Sequence, residues 1–244
     1  MSLSKARSIN IAILALGGQG GGVLVDWIVG MAEHEGWTAQ ATSVAGVAQR
    51  TGATIYYVEL VSQQDKPRPD AQPVLALMAV PGDVDVVIAA ELMEAGRAVQ
   101  RGMVTPDRTT LIASSHRIYS VMEKTAPGNG LADSEPVAQL LKDNARQLVL
   151  DDMQALAVKN GSVISASLFG ALAGSGALPF PQSAFEGVVE RNGVGVKTSL
   201  AALRAAADLA RQPTAQPKVA ASGLETAARA LPEKAAAPSV QPLL

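Results

Sequence analysis

The stretch INIAILALGGQGGGVL, residues 9–24, constrains the fold more than any other part of the chain. An apolar run, Ile9–Leu16, interrupted only by Asn10, stops at a cluster of glycines, and a helical pattern begins at once. A continuous apolar run, rather than an alternating one, suits a parallel strand covered on both faces. Glycines at its end permit positive φ and a sharp reversal. Val23–Glu35 then carries apolar residues near helical spacing, among them Val23, Trp27 and Met31, and Gly36 suits the C′ position. Thr38–Val44 reads as a second strand. Strand, turn, helix and strand make a βαβ unit, whose crossover is expected to be right-handed. The fold class that follows is α/β: three layers, α/β/α, around a mostly parallel, Rossmann-like sheet.

The rest of the chain fits that frame. Strands are expected at Ile55–Leu60, Val84–Ala89, Thr109–Ala113 and Gln147–Leu150. Helices are expected at Leu92–Arg101, Glu135–Asn144, Asp152–Lys159, Ser162–Gly174, Pro181–Arg191 and Lys197–Arg211. Ala45–Ala53 reads as a loop or short helical turn, Gln63–Pro73 as a surface excursion and Val121–Asp133 as a loop. The run Ser162–Phe180 holds no charge, but its Ser, Ala and Gly content and its Leu-Pro-Phe-Pro ending mark a buried helix rather than a membrane span. Past Arg211 the composition turns to Ala and Pro, so the expected division is a domain at 1–211 and a flexible tail or truncated linker at 212–244.

Composition removes several functions. A net charge of −2 offers no basic field for nucleic acid or an anionic membrane. Aromatics at 3% give no platform for stacking bases. The chain has no cysteine, so it cannot itself form a disulfide or ligate an iron–sulfur cluster or a thiolate zinc. That fits a reducing compartment. MSLSKARSIN lacks the apolar stretch of a secretory signal, and the expected localisation is cytoplasmic.

The glycine turn has the logic of a phosphate cradle, since close backbone and a helix N-terminus both favour an anion. The two common fingerprints nevertheless fail. In G-x-G-x-x-G the third glycine would fall on Val23 counted from Gly18, or on Val25 counted from Gly20. Gly17 and Gly22 have P-loop separation, but Val23 and Leu24 follow in place of Lys and Ser/Thr. No acid ends the second strand to grip a ribose. NAD binding and ATP hydrolysis are therefore disfavoured, and the turn either holds some other phosphate or holds nothing.

Other polar groups follow strand ends. Gln49 and Arg50 stand between Gly46 and Gly52, where Arg50 could clamp a phosphate or carboxylate or pair with a surface acid. Glu91 follows the strand VDVVIAA, while Glu94 and Arg97 read as an i, i+3 pair on a solvated helix face. His116 lies in Ser114-Ser115-His116-Arg117 with no clear Ser/His/Asp set, and His34 reads as a surface group. Asp83/Asp85 and Asp151/Asp152 read as caps or turns, and no metal-ligand spacing is present. An anion-binding turn without a nucleophile or redox group suits a subunit better than a complete enzyme.

LGGQGGGVLVDWIVGMAEHEGW followed by SVAGVAQRTGATIYYVEL resembles the gamma-type domain of the 2-oxoacid:ferredoxin oxidoreductases. The family has a G-x-G-G-Q-G turn, a helix, and then a loop of the type H-G-M-A-Q-R-G-G. Here the turn is Leu16–Gly21 and the loop Ala45–Gly52, with GDVDVVIAAELMEAGRAV resembling a third landmark. The likeness runs through residues 9–210 and is nearest to the indolepyruvate branch, beta-subunit type, in the proteobacterial form with a further C-terminal domain. Val47 stands where Met is usual and Ala45 where His is common, so no histidine role carries over to that loop.

The resemblance implies a non-redox subunit of a complex that oxidatively decarboxylates an aryl 2-oxoacid to acyl-coenzyme A, with ferredoxin as acceptor. It implies that thiamine diphosphate and [4Fe-4S] clusters belong to a larger partner subunit, on which this chain packs. It also implies a part in holding coenzyme A for Gly18, Gln19, Gly20, Gly21, Gln49, Arg50 and Glu91, with no residue in covalent catalysis. Two alternatives stay open: a stand-alone nucleotide- or coenzyme-binding regulatory protein, and a purely structural subunit.

Overall fold

The computed structural model describes residues 8–44, 53–63, 74–119, 121–125 and 130–212. The elements run β1 (Ser8–Ala15), α1 (Gly21–His34), β2 (Thr38–Val44), β3 (Thr54–Val61), β4 (Val86–Ala89), α2 (Leu92–Gln100) and β5 (Thr110–Ser114). They continue α3 (Val121–Thr125), α4 (Ser134–Asn144), β6 (Gln147–Asp151), α5 (Met153–Lys159), α6 (Ile164–Ser175), α7 (Gln182–Asn192) and α8 (Val196–Arg211). The segment expected as a loop before α4 thus contains a short helix, and the Ala/Pro-rich tail lies outside the described residues.

One sheet holds all six strands in the order β2-β3-β1-β4-β5-β6. Contacts β1–β4, β4–β5 and β5–β6 are parallel, while β3 runs antiparallel to both of its neighbours, β1 and β2. The three-layer, mostly parallel architecture holds, but the expected βαβ unit is modified. β1 and β2 point the same way, yet β3 sits between them as the return arm of a hairpin. Apolar periodicity reports burial, not strand direction, so this insertion leaves no pattern in the sequence.

The strand β1 explains why its run is continuously apolar. Ile11, Ile13 and Ala15 face the core beneath α1, α6, α7 and α8, while Ala12 and Leu14 face the smaller core beneath α2 and α4. Helix α6 is apolar all round because it lies inside the first layer, with Ile164 to Leu172 buried. Its Phe169 packs between Trp27 and Phe185, at ring centroid distances of 5.5 and 4.9 Å. Among the described residues no single helix is long and apolar enough to cross a membrane, and the pair α5–α6 is bent by 112°.

Two expectations about acidic residues change. Asp83 closes a turn, its N–H donating to Val80 O at 3.0 Å, but neither carboxylate caps; both clamp Arg108, with Arg108 Nε donating to Asp85 Oδ1 at 2.9 Å, and Asp85 Oδ2 accepts from Asn10 N at 2.9 Å. Glu94 does pair with Arg97, but its side chain is buried rather than solvated, because the first turn of α2 enters the interior beside β4. Asp152 meets the expectation of a cap, accepting from Ala155 N at 2.8 Å.

Candidate functional site

Helix α1 covers one face of the sheet and α2 the other, although their strands β1 and β4 are neighbours. The connections leave in opposite directions there, and a crevice opens at the carboxyl ends of the strands, the usual ligand position in such sheets. Gly17–Gly21 end β1, Glu91 follows β4 and His116 follows β5, so all three meet this edge. The flanks of the second landmark reach it too: Ala15 pairs with Thr54 and Val44 with Ile55. Gln49 and Arg50 themselves lie outside the described residues.

The turn needs its glycines for different reasons. Gly18 (φ 88°) and Gly20 (φ 68°) occupy the left-handed region, which side chains disfavour. At Gly21 the constraint is steric: an added Cβ would lie 2.6 Å from Tyr56 Cε2 and 2.9 Å from Ala15 Cβ. Gly17 and Gly18 are exposed, and Gly20 caps α1 without a side-chain bond. The first helical backbone bond is Leu24 N to Gly20 O at 3.0 Å, so the N–H groups of Gly21, Gly22 and Val23 have no acceptor within the helix.

Gln19 turns inward and braces this geometry. Its Oε1 accepts from Leu16 N at 2.8 Å, and its Nε2 donates to Ala90 O at 3.4 Å and faces His116 Nε2 at 3.3 Å. The backbone N–H of Leu16 fixes which end of the amide is oxygen. The NH2 end therefore faces His116, whose Nε2 must accept and whose Nδ1 must carry the proton. That proton goes to Ser114 Oγ at 2.7 Å, which also accepts from Met153 N at 3.0 Å. His116 O accepts from Leu92 N at 3.1 Å, joining the chain to the start of α2.

Burial holds the His116 imidazole below its ordinary value, with Asp152 opposing, so the ring is neutral as the tautomer requires. Glu91 is buried at the start of α2, where its Oε1 accepts from Glu94 N at 2.7 Å. Burial raises its carboxyl above the ordinary range, against the pull of the Met93 and Glu94 N–H groups. The acid acts as a helix cap facing inward.

A pH prediction follows from His116. Its folded-state value is depressed, so the stability it confers is present above the unfolded value of 6.5 and is lost as pH falls below it. Protonation at Nε2 would also set a donor against the Gln19 amide. Urea midpoints above and below pH 6.5 should fall more on acidification in the wild type than in His116→Gln. Equal losses would refute the neutral Nδ1–H assignment.

Among the described residues no group of three or more His, Cys, Asp or Glu side chains could hold a metal ion. Residues Gly18, Gln19, Gly20, Gly21 and Glu91 are brought to one edge, where the start of α1 has no side-chain cap bond. Sequence reasoning missed Ser165, which lies against Gly20 from α6, because nothing local relates positions so far apart.

Comparison with known proteins agrees with this architecture. No curated protein matches the chain. Among solved structures, pyruvate oxidoreductase subunit PORC from Thermotoga maritima superposes with a TM-score of 0.55 at 18% identity, covering 83% of this chain and 96% of that one. The gamma subunit of a keto/oxoacid ferredoxin oxidoreductase from Geobacter sulfurreducens gives a TM-score of 0.55 at 15% identity, covering 83% and 98%. The 2-oxoglutarate:ferredoxin oxidoreductase of Magnetococcus marinus, solved with 2-oxoglutarate, coenzyme A and succinyl-CoA, gives 0.55 at 13% identity, covering 87% of this chain and 34% of that longer one. At such identities the structures establish the fold. The family model for pyruvate ferredoxin/flavodoxin oxidoreductase spans residues 10–209, nearly all of the described fold, and the chain belongs to that family.

Proposed function

We propose that this chain is the non-redox subunit of a complex that oxidatively decarboxylates 2-oxoacids to acyl-coenzyme A. It packs on a larger cytoplasmic subunit that holds thiamine diphosphate and [4Fe-4S] clusters, and electrons leave through that subunit to ferredoxin. The 2-oxoacid is an aryl one of the indolepyruvate type, on the strength of the sequence resemblance. The chain has no cysteine with which to ligate a cluster, which fits this division of labour.

One observation carries the coenzyme A part of the reading. The glycine turn opens at the crevice between β1 and β4, with Gly17 and Gly18 exposed and the first N–H groups of α1 unused by the helix. This is an anion-binding terminus at a strand-order switch. The Magnetococcus marinus relative was solved with coenzyme A, whose phosphates suit such a terminus. Gln19 holds the turn in shape, Glu91 caps the adjoining helix, and Gln49 and Arg50, between Gly46 and Gly52 in the sequence, supply an amide and a cation.

Co-expression with the genomic neighbour tests the assignment. A stable complex with a larger brown, thiamine-binding partner is expected; a chain that always purifies alone overturns it. In that complex Arg50→Ala should raise KM for coenzyme A about tenfold with little change in kcat, the loss of one charge-assisted contact. An unchanged KM would favour the purely structural alternative.

A further inference from the structure

We propose that the N-terminus of α6, with the Ser165 hydroxyl, is the second arm of an anion site whose first arm is the N-terminus of α1. The site takes the oxyanion of a phosphate ester. This rests on the reading that the glycine turn holds a phosphate, and it names the opposite wall of that site.

Ser165 stands in the first turn of α6, is 1% exposed, and its Oγ has no hydrogen-bond partner. A buried hydroxyl in that state calls for an explanation. It lies against the cap of the other helix: a Cβ built on Gly20 would sit 3.1 Å from Ser165 Oγ. The two helix starts therefore meet, and α1 has 14 residues and α6 has 12. Each N-terminus carries roughly half a positive charge, and two like ends in contact repel unless a negative group lies between them. Among the described residues neither helix has a side-chain cap bond or an acid in its first turn, a state they share with α7 and α8 but not with α2, α4 and α5, which are capped by Glu91, Asp133 and Asp152.

The surroundings select an ester over a bare ion. Val23, in the first turn of α1, is 42% exposed, and Val163, the cap residue of α6, is 59% exposed. Each helix start thus carries an exposed apolar side chain against which the organic arm of a phosphate ester would lie, while the phosphate oxygens receive the helix N–H groups and the Ser165 hydroxyl.

Titration of the full chain with inorganic phosphate, inorganic pyrophosphate and a phosphate monoester, by calorimetry and thermal unfolding, tests the site in wild type and Ser165→Ala. The wild type should be stabilised, most by the ester. Ser165→Ala should bind each about tenfold more weakly. Its ligand-free melting temperature should hold or rise, because the hydroxyl it loses has no partner. Unchanged affinity in Ser165→Ala, or a lowered ligand-free melting temperature, would overturn this inference and leave the glycine turn as the phosphate holder. No response of the wild type to any of the three probes would overturn the turn reading itself.

Discussion

Gly170→Val is expected to abolish the folded state, and even Gly170→Ala to cost about 3 kcal/mol or more in urea unfolding. The cause is the contact between α6 and α8. A Cβ at Gly170 would lie 2.1 Å from Leu203 O and 2.6 Å from Leu203 Cα; at Gly174 it would lie 2.2 Å from Ala207 O. Those atoms are helix backbone, which cannot rotate away as a side chain tip can. The only relief is to push α8 outward, and that would open the packing of Ala202, Leu203, Ala206 and Ala207, all buried against α6. A domain of this size is stable by only about 5–15 kcal/mol, so the loss is a large share of the total. Gly30→Ala is the control. Its Cβ would meet Val188 Cγ2 at 3.5 Å, an ordinary contact, and it should be neutral or stabilising by up to about 1 kcal/mol. Similar midpoints for Gly170→Ala and Gly30→Ala would disprove the close crossing of α6 and α8.

The same contact shows what was legible in the sequence and what was not. An uncharged run from Ser162 to Phe180 revealed a buried helix, because burial on all sides demands apolar or small residues on all sides. It did not reveal which glycines touch a neighbouring backbone, since the partner atoms lie on α8, a separate element. The strands were readable for a similar reason: β1 is covered on both faces and is apolar without a break from Ile11 to Ala15. The direction of β3 was not readable, because side-chain pattern is the same for a strand running either way. Charge pairs divided along the same line. Glu94 and Arg97 are three residues apart, so the pairing was visible, but the burial of Glu94 depends on where α2 meets the sheet. Asp83 and Asp85 looked like local caps because their partner, Arg108, is distant in sequence. At the candidate site, the glycine turn, Glu91 and His116 were visible as residues that follow strands. Their meeting depends on strand order, and the inward direction of Gln19 depends on Ala90 and His116, so neither could be read in advance.

The turn itself gives the second large effect, through two adjacent glycines with opposite outcomes. Gly21→Val should cost about 3 kcal/mol, whereas Gly22→Ala should be neutral or stabilise by up to about 1 kcal/mol. Gly21 is buried where α1 leaves β1, and an added Cβ meets Tyr56 Cε2 at 2.6 Å and Ala15 Cβ at 2.9 Å. The Tyr56 ring edge can swing aside. The Ala15 Cβ cannot, because Ala15 is held in register by pairing with Thr54. The helix must then lift from the strand end, which separates Gln19 from Ala90 and His116 and spreads the N–H groups proposed to hold a phosphate. Gly21→Val should therefore lose pyrophosphate binding along with stability. Gly22 faces open space, has no positive φ, and sits in the first turn of α1, where alanine is the better helix former. Its alanine variant keeps every N–H group, so binding should persist. Thermal unfolding with and without pyrophosphate separates the cases. Equal tolerance at both positions would mean that α1 is not seated against Ala15 as closely as the structure has it. Loss of binding in Gly22→Ala with its stability intact would mean that the ligand approaches the side of the helix where the new methyl projects, rather than its N–H end.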